Sequence, residues 1–178
     1  MTKITEIRTT PSLELFAELV ELLQDSVAGG ASIGWTSTPT TREARNYWTE
    51  VLESVGRGER LLFVAQDQHI CAGAVQLAFP PKANARHRGE VQKLMVHSQF
   101  RRRGIGQALV DGLENAAAAR GLSLLVLEAR RGDAAEALYA RAGYQLCGEI
   151  PGFAQSTTGT YDPVAIYWRR LAPAAGEF

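Results

Sequence analysis

Val91-Gln92-Lys93-Leu94-Met95-Val96, followed four residues later by Arg101-Arg102-Arg103-Gly104-Ile105-Gly106-Gln107-Ala108-Leu109, is the stretch on which the fold turns. The first part reads as the end of a strand running from about Gly89 to Val96. Beyond the basic turn, Ile105, Leu109, Leu113 and Ala116 recur at helical spacing, which predicts an amphipathic helix from Gly104 to Arg120. A strand therefore passes into a helix through a loop with two glycines and three arginines. Glycine lets backbone approach a ligand closely, and a helix start presents unpaired N–H groups with roughly half a positive charge. From Arg86 to Arg103 there are six Lys/Arg and one Asp/Glu, a local +5. That combination suits a pyrophosphate, with a solvated basic turn as the alternative. Two better-known phosphate loops do not fit. A P-loop needs Gly-Lys-Ser/Thr, and Gly106 is followed by Gln107-Ala108; a dinucleotide fingerprint needs Gly or Ala where Leu109 stands.

Outward from this stretch, the order of elements is regular. Ile4–Arg8 alternates like a short strand, and residues 12–27 set Leu15, Leu19, Leu22 and Leu23 on one helical face behind Pro11-Ser12. A flexible apolar loop, Gly29–Trp35, precedes a second helix from about Thr41 to Val55 with Ala44, Tyr47, Trp48, Val51 and Leu52 on one side. Strands follow at Arg60–Gln66 and Ile70–Phe79, joined by Asp67-Gln68-His69, a hairpin signal. Downstream, Leu122–Leu127 is a near-continuous apolar run, expected to be a strand buried on both faces. Asp133 is placed to cap a helix carrying Ala137, Leu138 and Tyr139 that stops at Gly143. Strands at Tyr144–Gly148 and Val164–Trp168 flank a Gly/Thr-rich loop. The string β-α-α-β-β-β-α-β-α-β-β predicts an α/β protein with a mixed sheet, one domain over 1–171 and a disordered tail over 172–178.

Composition excludes other classes. A chain of 178 residues can bury a core as one domain. With 19 Lys+Arg against 19 Asp+Glu it lacks the basic excess of a general nucleic-acid binder. No apolar run approaches the ~20 residues that span a bilayer, and Met1–Glu6 holds no signal core, so no membrane partner and a cytoplasmic location are expected. Cys71 and Cys147 form no C-x-x-C pair and lie in apolar, strand-like sequence, where buried inert thiols are expected. His69, His87 and His97 show no ligand spacing, so no metal site is expected.

R-x-x-G-x-G, as Arg101-Arg102-Arg103-Gly104-Ile105-Gly106 after Leu94-Met95-Val96, resembles the acetyl-CoA site of the GNAT N-acetyltransferase superfamily. Ala137-Leu138-Tyr139-Ala140-Arg141-Ala142-Gly143-Tyr144 is similar to that family's A-x-Y-x-x-x-G-[FY] segment, and the element order matches. Within the superfamily the chain resembles tabtoxin-resistance acetyltransferases at Gly29-Gly30-Ala31-Ser32 with Trp35, at Glu90–Val96, at Gly148-Glu149-Ile150-Pro151-Gly152-Phe153 and at Ala165-Ile166-Tyr167. Many members place an Asn seven residues before the helix tyrosine, where this chain has Gly132.

The resemblance implies a mostly antiparallel sheet splayed at the cofactor and flanked by about four helices. It implies acetyl-CoA as co-substrate, with backbone at Leu94, Met95 and Val96 bonding the pantetheine arm and the Arg101, Arg102, Arg103, Gly104, Ile105 and Gly106 amides holding the pyrophosphate. The reaction implied is direct transfer of acetyl to a primary amine of a small metabolite or amino-acid-like antibiotic, of tabtoxinine-β-lactam type. Tyr139 is the candidate acid for the departing thiolate. Glu90 and Glu128 are candidate bases or anchors for a cationic substrate, with surface ion pairs to Arg88, Lys93, Arg130 or Arg131 as the other reading. Trp35 and Phe153 are candidate walls of the acceptor pocket, although Trp35 equally suits a core. A protein lysine or N-terminal acetyltransferase, a non-catalytic acyl-CoA sensor and a homodimer stay open.

Overall fold

The computed structural model describes residues 2–68 and 70–172, so His69 and all but the first residue of the expected tail lie outside the described residues. The strands are β1 (Lys3–Ile7), β2 (Arg60–Asp67), β3 (Ile70–Ala78), β4 (Arg88–Val96), β5 (Leu124–Arg130), β6 (Gln145–Gln155) and β7 (Tyr161–Arg170). The helices are α1 (Leu13–Ala28), α2 (Thr41–Gly56), α3 (Ile105–Ala119) and α4 (Ala134–Arg141). Local chemistry sets the helix starts. Ser12 Oγ accepts from the Leu15 amide ahead of α1, and Thr40 with Glu43 forms a capping box ahead of α2.

One seven-stranded sheet runs in the order β1-β2-β3-β4-β5-β7-β6. Every neighbouring pair is antiparallel except β4 and β5, which the α3 crossover makes parallel. This is the mixed, mostly antiparallel sheet with four helices that the sequence leads one to expect. Two cores flank it. Leu109, Val110 and Leu113 of α3 pack with Val75, Leu77, Val91, Leu125 and Leu127 on one face. Leu19, Leu22, Leu23 and Trp48 of α1 and α2 pack with Leu62, Val64, Ala74 and Met95 on the other.

That division corrects one expectation. β5 is buried on one face only: Leu125, Leu127 and Ala129 are buried, whereas Leu124, Val126 and Arg130 are half-buried and Glu128 is exposed. The second core draws on β2, β3 and β4, leaving the opposite face of β5 open.

Three further expectations are corrected at the end of the chain. The two last strands reach much farther than the apolar residues suggest, leaving only 156–160 as the turn. An irregularity between Ile150 and Ala154 absorbs Pro151 and Gly152, which an edge strand tolerates because its outer side needs no ladder bond. Cys147 is exposed, because β6 is that edge, while Cys71 is buried and burial pushes its thiol up to about 12. Asp133 stands at the N-cap of α4, but its side chain makes no capping bond and accepts instead from Arg130 at 2.9 Å.

The feature that positions the site is the parting of β4 from β5. Their pairing covers only Arg88–Val91 with Leu124–Leu127. Beyond it, β4 carries one extra residue against β3, since Ala74 faces Met95 but Gln76 faces Gln92. Lys93 lies in this bulge with a left-handed backbone, φ 52°. Gly73 permits it: a Cβ there would lie 2.7 Å from the Met95 carbonyl.

Candidate active site

Where β4 and β5 part, a cleft of about 840 Å³ opens between them. Its β4 wall is Gln92–Val96, whose main chain has no β5 partner along the gap. Leu94, Met95 and Val96 all line the cleft.

The start of α3 closes one end. Arg102 and Gly104 both take left-handed backbone, φ 64° and 78°, which turns the chain sharply into the helix. Gly104 is the N-cap and supplies no side-chain bond. The first main-chain bond of the helix is Ala108 N–H to Gly104 O, so the amides of Ile105, Gly106 and Gln107 are unspent within it. All three residues line the cleft with Arg101, Arg102 and Gly104. The turn is held from behind, where Asp25 of α1 accepts from both the amide and the hydroxyl of Ser98, at 2.8 and 2.6 Å.

The three arginines divide. Arg101 bonds the Val96 carbonyl through Nε at 3.3 Å and lies against Gly29, where a Cβ would be 2.9 Å from its guanidinium. Arg102 lines the cleft. Arg103 is absent from the lining, and its side chain stacks over the Phe100 ring at 5.1 Å. The local +5 is divided too, because Arg86 and Arg88 stand at the far end of β4.

The other end of the cleft is made of side chains from separate segments. Glu90, Lys93, Glu128, Arg130 and Phe153 line it together with the loop Gly29–Gly34. Glu90 is fixed by an amide relay. Gln92 donates to its Oε1 at 2.7 Å, Arg60 donates to Gln92 at 3.0 Å and to Gln76 at 2.5 Å, and the fully buried Gln76 donates to the Tyr47 hydroxyl at 2.8 Å. The Glu128 carboxyl is pushed up from its ordinary value, first by its partial burial against the cleft walls and second by the negative Glu90; Lys93 pulls the other way. The surface ion pairs considered for these carboxylates are largely spent elsewhere. Arg130 bonds Asp133 and Asp162, and Arg131 bonds Glu136 and Glu149.

Tyr139 of α4 lines the cleft, is 4% exposed and packs edge-on to Tyr144 at 5.4 Å. Burial pushes its hydroxyl well above the ordinary tyrosine value, so it stays protonated across the physiological range. Trp35 is a correction: it packs edge-on against Tyr47 at 6.4 Å beside the second core and does not line the cleft. Phe153 lines it and is 48% exposed. Gly132, just ahead of α4, has φ 83°, gives its amide to Glu136 at 2.6 Å and is absent from the cleft lining. Sequence reading missed Lys93 and Arg130 as builders of the loop wall. A cation two residues after Glu128 shares its face of the strand, and that spacing was the available signal. Among the described residues no cluster of His, Cys, Asp or Glu could hold a metal ion, and no helix is long and apolar enough to cross a membrane.

Comparison with known proteins bears on this geometry. The acetyltransferase (GNAT) family model matches residues 19–144. An uncharacterized N-acetyltransferase encoded in the hisH-hisA intergenic region of Azospirillum brasilense is 30% identical over 115 residues, which is 64% of this chain and 67% of that protein. The crystal structure of a ribosomal-protein-alanine N-acetyltransferase from Brucella melitensis superposes with TM-score 0.76 at 24% identity, covering 94% of this chain and 99% of that one. A phosphinothricin acetyltransferase from Sinorhizobium meliloti, solved with acetyl-CoA, superposes with TM-score 0.78 at 19% identity over 99% and 95% of the two chains. At these identities the structural likenesses concern the fold. The family match spans most of the chain, including the parted strands and the start of α3, and on it the protein belongs to the GNAT family and is an N-acetyltransferase.

Proposed function

We propose that the protein transfers acetyl from acetyl-CoA directly to a primary amine of a small, amino-acid-like molecule bound at the Glu90–Glu128 end of the cleft. The single observation that carries this reading is the parting of β4 from β5 beside the unspent amides of α3, with Glu128 and Tyr139 lining the same gap. The Ile105–Gln107 amides with Arg101 and Arg102 suit the pyrophosphate, and the free edge of Leu94–Val96 suits the amide-rich pantetheine arm.

Two proton problems assign the side chains. A lysine-like amine is neutral in only about one molecule in 2,500 at pH 7, whereas an α-amine loses only about 1 kcal/mol to protonation. Glu128 is the better base. Its pKa is raised and it is open to the cleft, whereas Glu90 is bound into the relay and orients the amine. The neutral nitrogen attacks the thioester carbonyl, a main-chain N–H of the β4 bulge faces the developing oxyanion, and the C–S bond breaks. Tyr139 gives its proton to the departing thiolate and recovers one from solvent or from the amine.

The likeness to tabtoxin-resistance enzymes rests on the segments quoted from the sequence and directs the choice of acceptors. The test is free-thiol release from acetyl-CoA with a panel of amino acids, β-lactam amino acids, lysine-like amines and peptides, alongside calorimetric acetyl-CoA binding. Turnover of amino-acid-like amines is expected. Binding of acetyl-CoA with acetylation of peptides alone would overturn the small-molecule reading, and absence of acetyl-CoA binding would overturn the whole.

A further inference from the structure

The loop between α1 and α2 is suspended across the cleft from both parted strands. On the β4 side, Lys93 Nζ donates to the Ile33 carbonyl at 2.6 Å. On the β5 side, Arg130 Nη2 donates to the Gly30 carbonyl at 2.8 Å. Neither contact is local, since they join residues 60 and 100 positions apart. Gly34 leaves room for the first: its φ is 92°, and a Cβ there would lie 3.0 Å from Nζ.

Lys93 is where it is because of the bulge. Left-handed backbone is uncommon for a residue with a side chain and is kept where the surroundings hold it. An ammonium has three donors, and the loop carbonyl takes one. Its charge faces Glu90 of the same strand, Glu128 of β5 and the like-charged Arg60 of β2. Arg60 is engaged with Gln76 and Gln92, and Arg130 with Asp133 and Asp162. Lys93 is thus the cation whose charge both carboxylates feel, and among the described residues no ion pair takes it up. Burial lowers its pKa, the two carboxylates oppose that, and an ammonium results that is costly to keep unless both its roles are filled.

We propose that Lys93 is a positioning residue: from the bulge of β4 its ammonium pins the α1–α2 loop across the acceptor end and supplies the countercharge to Glu90 and Glu128. The proposal rests on the reading that this end receives the amine. Its two roles separate by variant. Lys93→Met removes both; Gly34→Ala crowds the pin and strains the loop's own left-handed backbone without removing the charge; Lys93→Arg keeps a cation.

The experiment measures the amine KM, the pH profile of kcat/KM and the amide hydrogen exchange of residues 29–34. Lys93→Met is expected to raise the amine KM about tenfold and to move the acidic limb up by about half a unit to one unit, because Glu128 loses its countercharge. It should speed exchange in 29–34 and leave the first turn of α3 and acetyl-CoA affinity unchanged. Gly34→Ala should raise KM and speed the loop with the limb unmoved, and Lys93→Arg should return the limb to its wild-type position. Loss of kcat with the limb unmoved in Lys93→Met, or unchanged loop exchange, would overturn the proposal. Loop exchange is read without any substrate, so a wild-type protein that binds acetyl-CoA yet acetylates no amine would overturn the assignment of the acceptor end, and exchange would still decide whether Lys93 pins the loop.

Discussion

The two ends of one cleft are built on opposite principles. The α3 end is a single run, Leu94–Gln107, whose contribution is mostly main chain: a free strand edge, two left-handed residues and three unspent amides. The opposite end is assembled from the side chains of Glu90, Lys93, Glu128, Arg130 and Phe153, from three separate segments, and from the main chain of the loop 29–34 that two of them hold. A backbone site recognises what all reactions of the family share, a phosphate-bearing donor, and it needs little more than glycine at the right place. A side-chain site can be altered residue by residue without unfolding the turn, which suits recognition of a variable acceptor.

If that contrast is right, removing one carboxylate should damage chemistry while sparing donor binding. Glu128→Gln is expected to lower kcat about 10²- to 10³-fold with a lysine-like acceptor, and about tenfold or less with an α-amine, whose nitrogen is already partly neutral. Tyr139→Phe should lower kcat about 10²-fold with both, because the leaving thiolate is the same. Steady-state kinetics with the two acceptors, beside acetyl-CoA titration, checks this; equal losses for Glu128→Gln with both amines would break the base assignment.

The converse change belongs at the other end. Gly104→Val forces a β-branched residue into φ 78°, a strain of about 1–3 kcal/mol that, where the turn relaxes away from the binding geometry, should appear as an acetyl-CoA Kd raised about 5- to 150-fold. The position is otherwise open, with nothing within 4 Å of a Cβ, so crowding in the free protein does not confuse the result. Unchanged affinity would mean that the turn is not the anion site.

The same contrast explains what could be read in the sequence. The β4–turn–α3 run is contiguous, so its glycines, its basic residues and the helical period of Ile105, Leu109 and Leu113 declare themselves together. The helix start behind Pro11-Ser12 was equally local, while the Thr40–Glu43 capping box ahead of α2, though just as local, was not picked out. The directions of the Trp35 and Arg103 side chains were not legible, because residue type says what a side chain can do, not which way it turns; each has a ring partner, Tyr47 and Phe100, from packing that no spacing reveals. Lys93 and Arg130 went unrecognised as loop anchors because their acceptors are main-chain carbonyls far off in sequence. The apolar run at β5 read as doubly buried because composition cannot show that α1 and α2 stop covering the sheet at β4.

A smaller effect tests the division among the arginines. Arg103→Ala should leave acetyl-CoA affinity within twofold and cost about 0.5–1 kcal/mol of stability through the lost stacking on Phe100. Arg101→Ala, at the cleft, should weaken binding several-fold, and more at low salt than at high salt. Calorimetric titration at two ionic strengths and thermal melting separate the two; a salt-dependent loss in Arg103→Ala would return that side chain to the anion.

The smallest expected effect is the most specific to the acceptor end. Glu128 must be ionised to take a proton, and its pKa is raised from the ordinary value, so kcat/KM should fall on acidification at a higher pH than an ordinary glutamate would give. Part of that elevation comes from Glu90, a like charge across the parting strands. Glu90→Gln removes it, so the acidic limb should move to lower pH, opposite in sign to the move expected for Lys93→Met, and by less than a unit because Glu128 is open to solvent. Burial ranks above Glu90 among the causes, so the limb should stay above the ordinary value even in the variant. A limb that stays in place or moves upward in Glu90→Gln would mean that Glu90 does not act on Glu128 as a like charge, and the pairing of the two carboxylates at this end would fall.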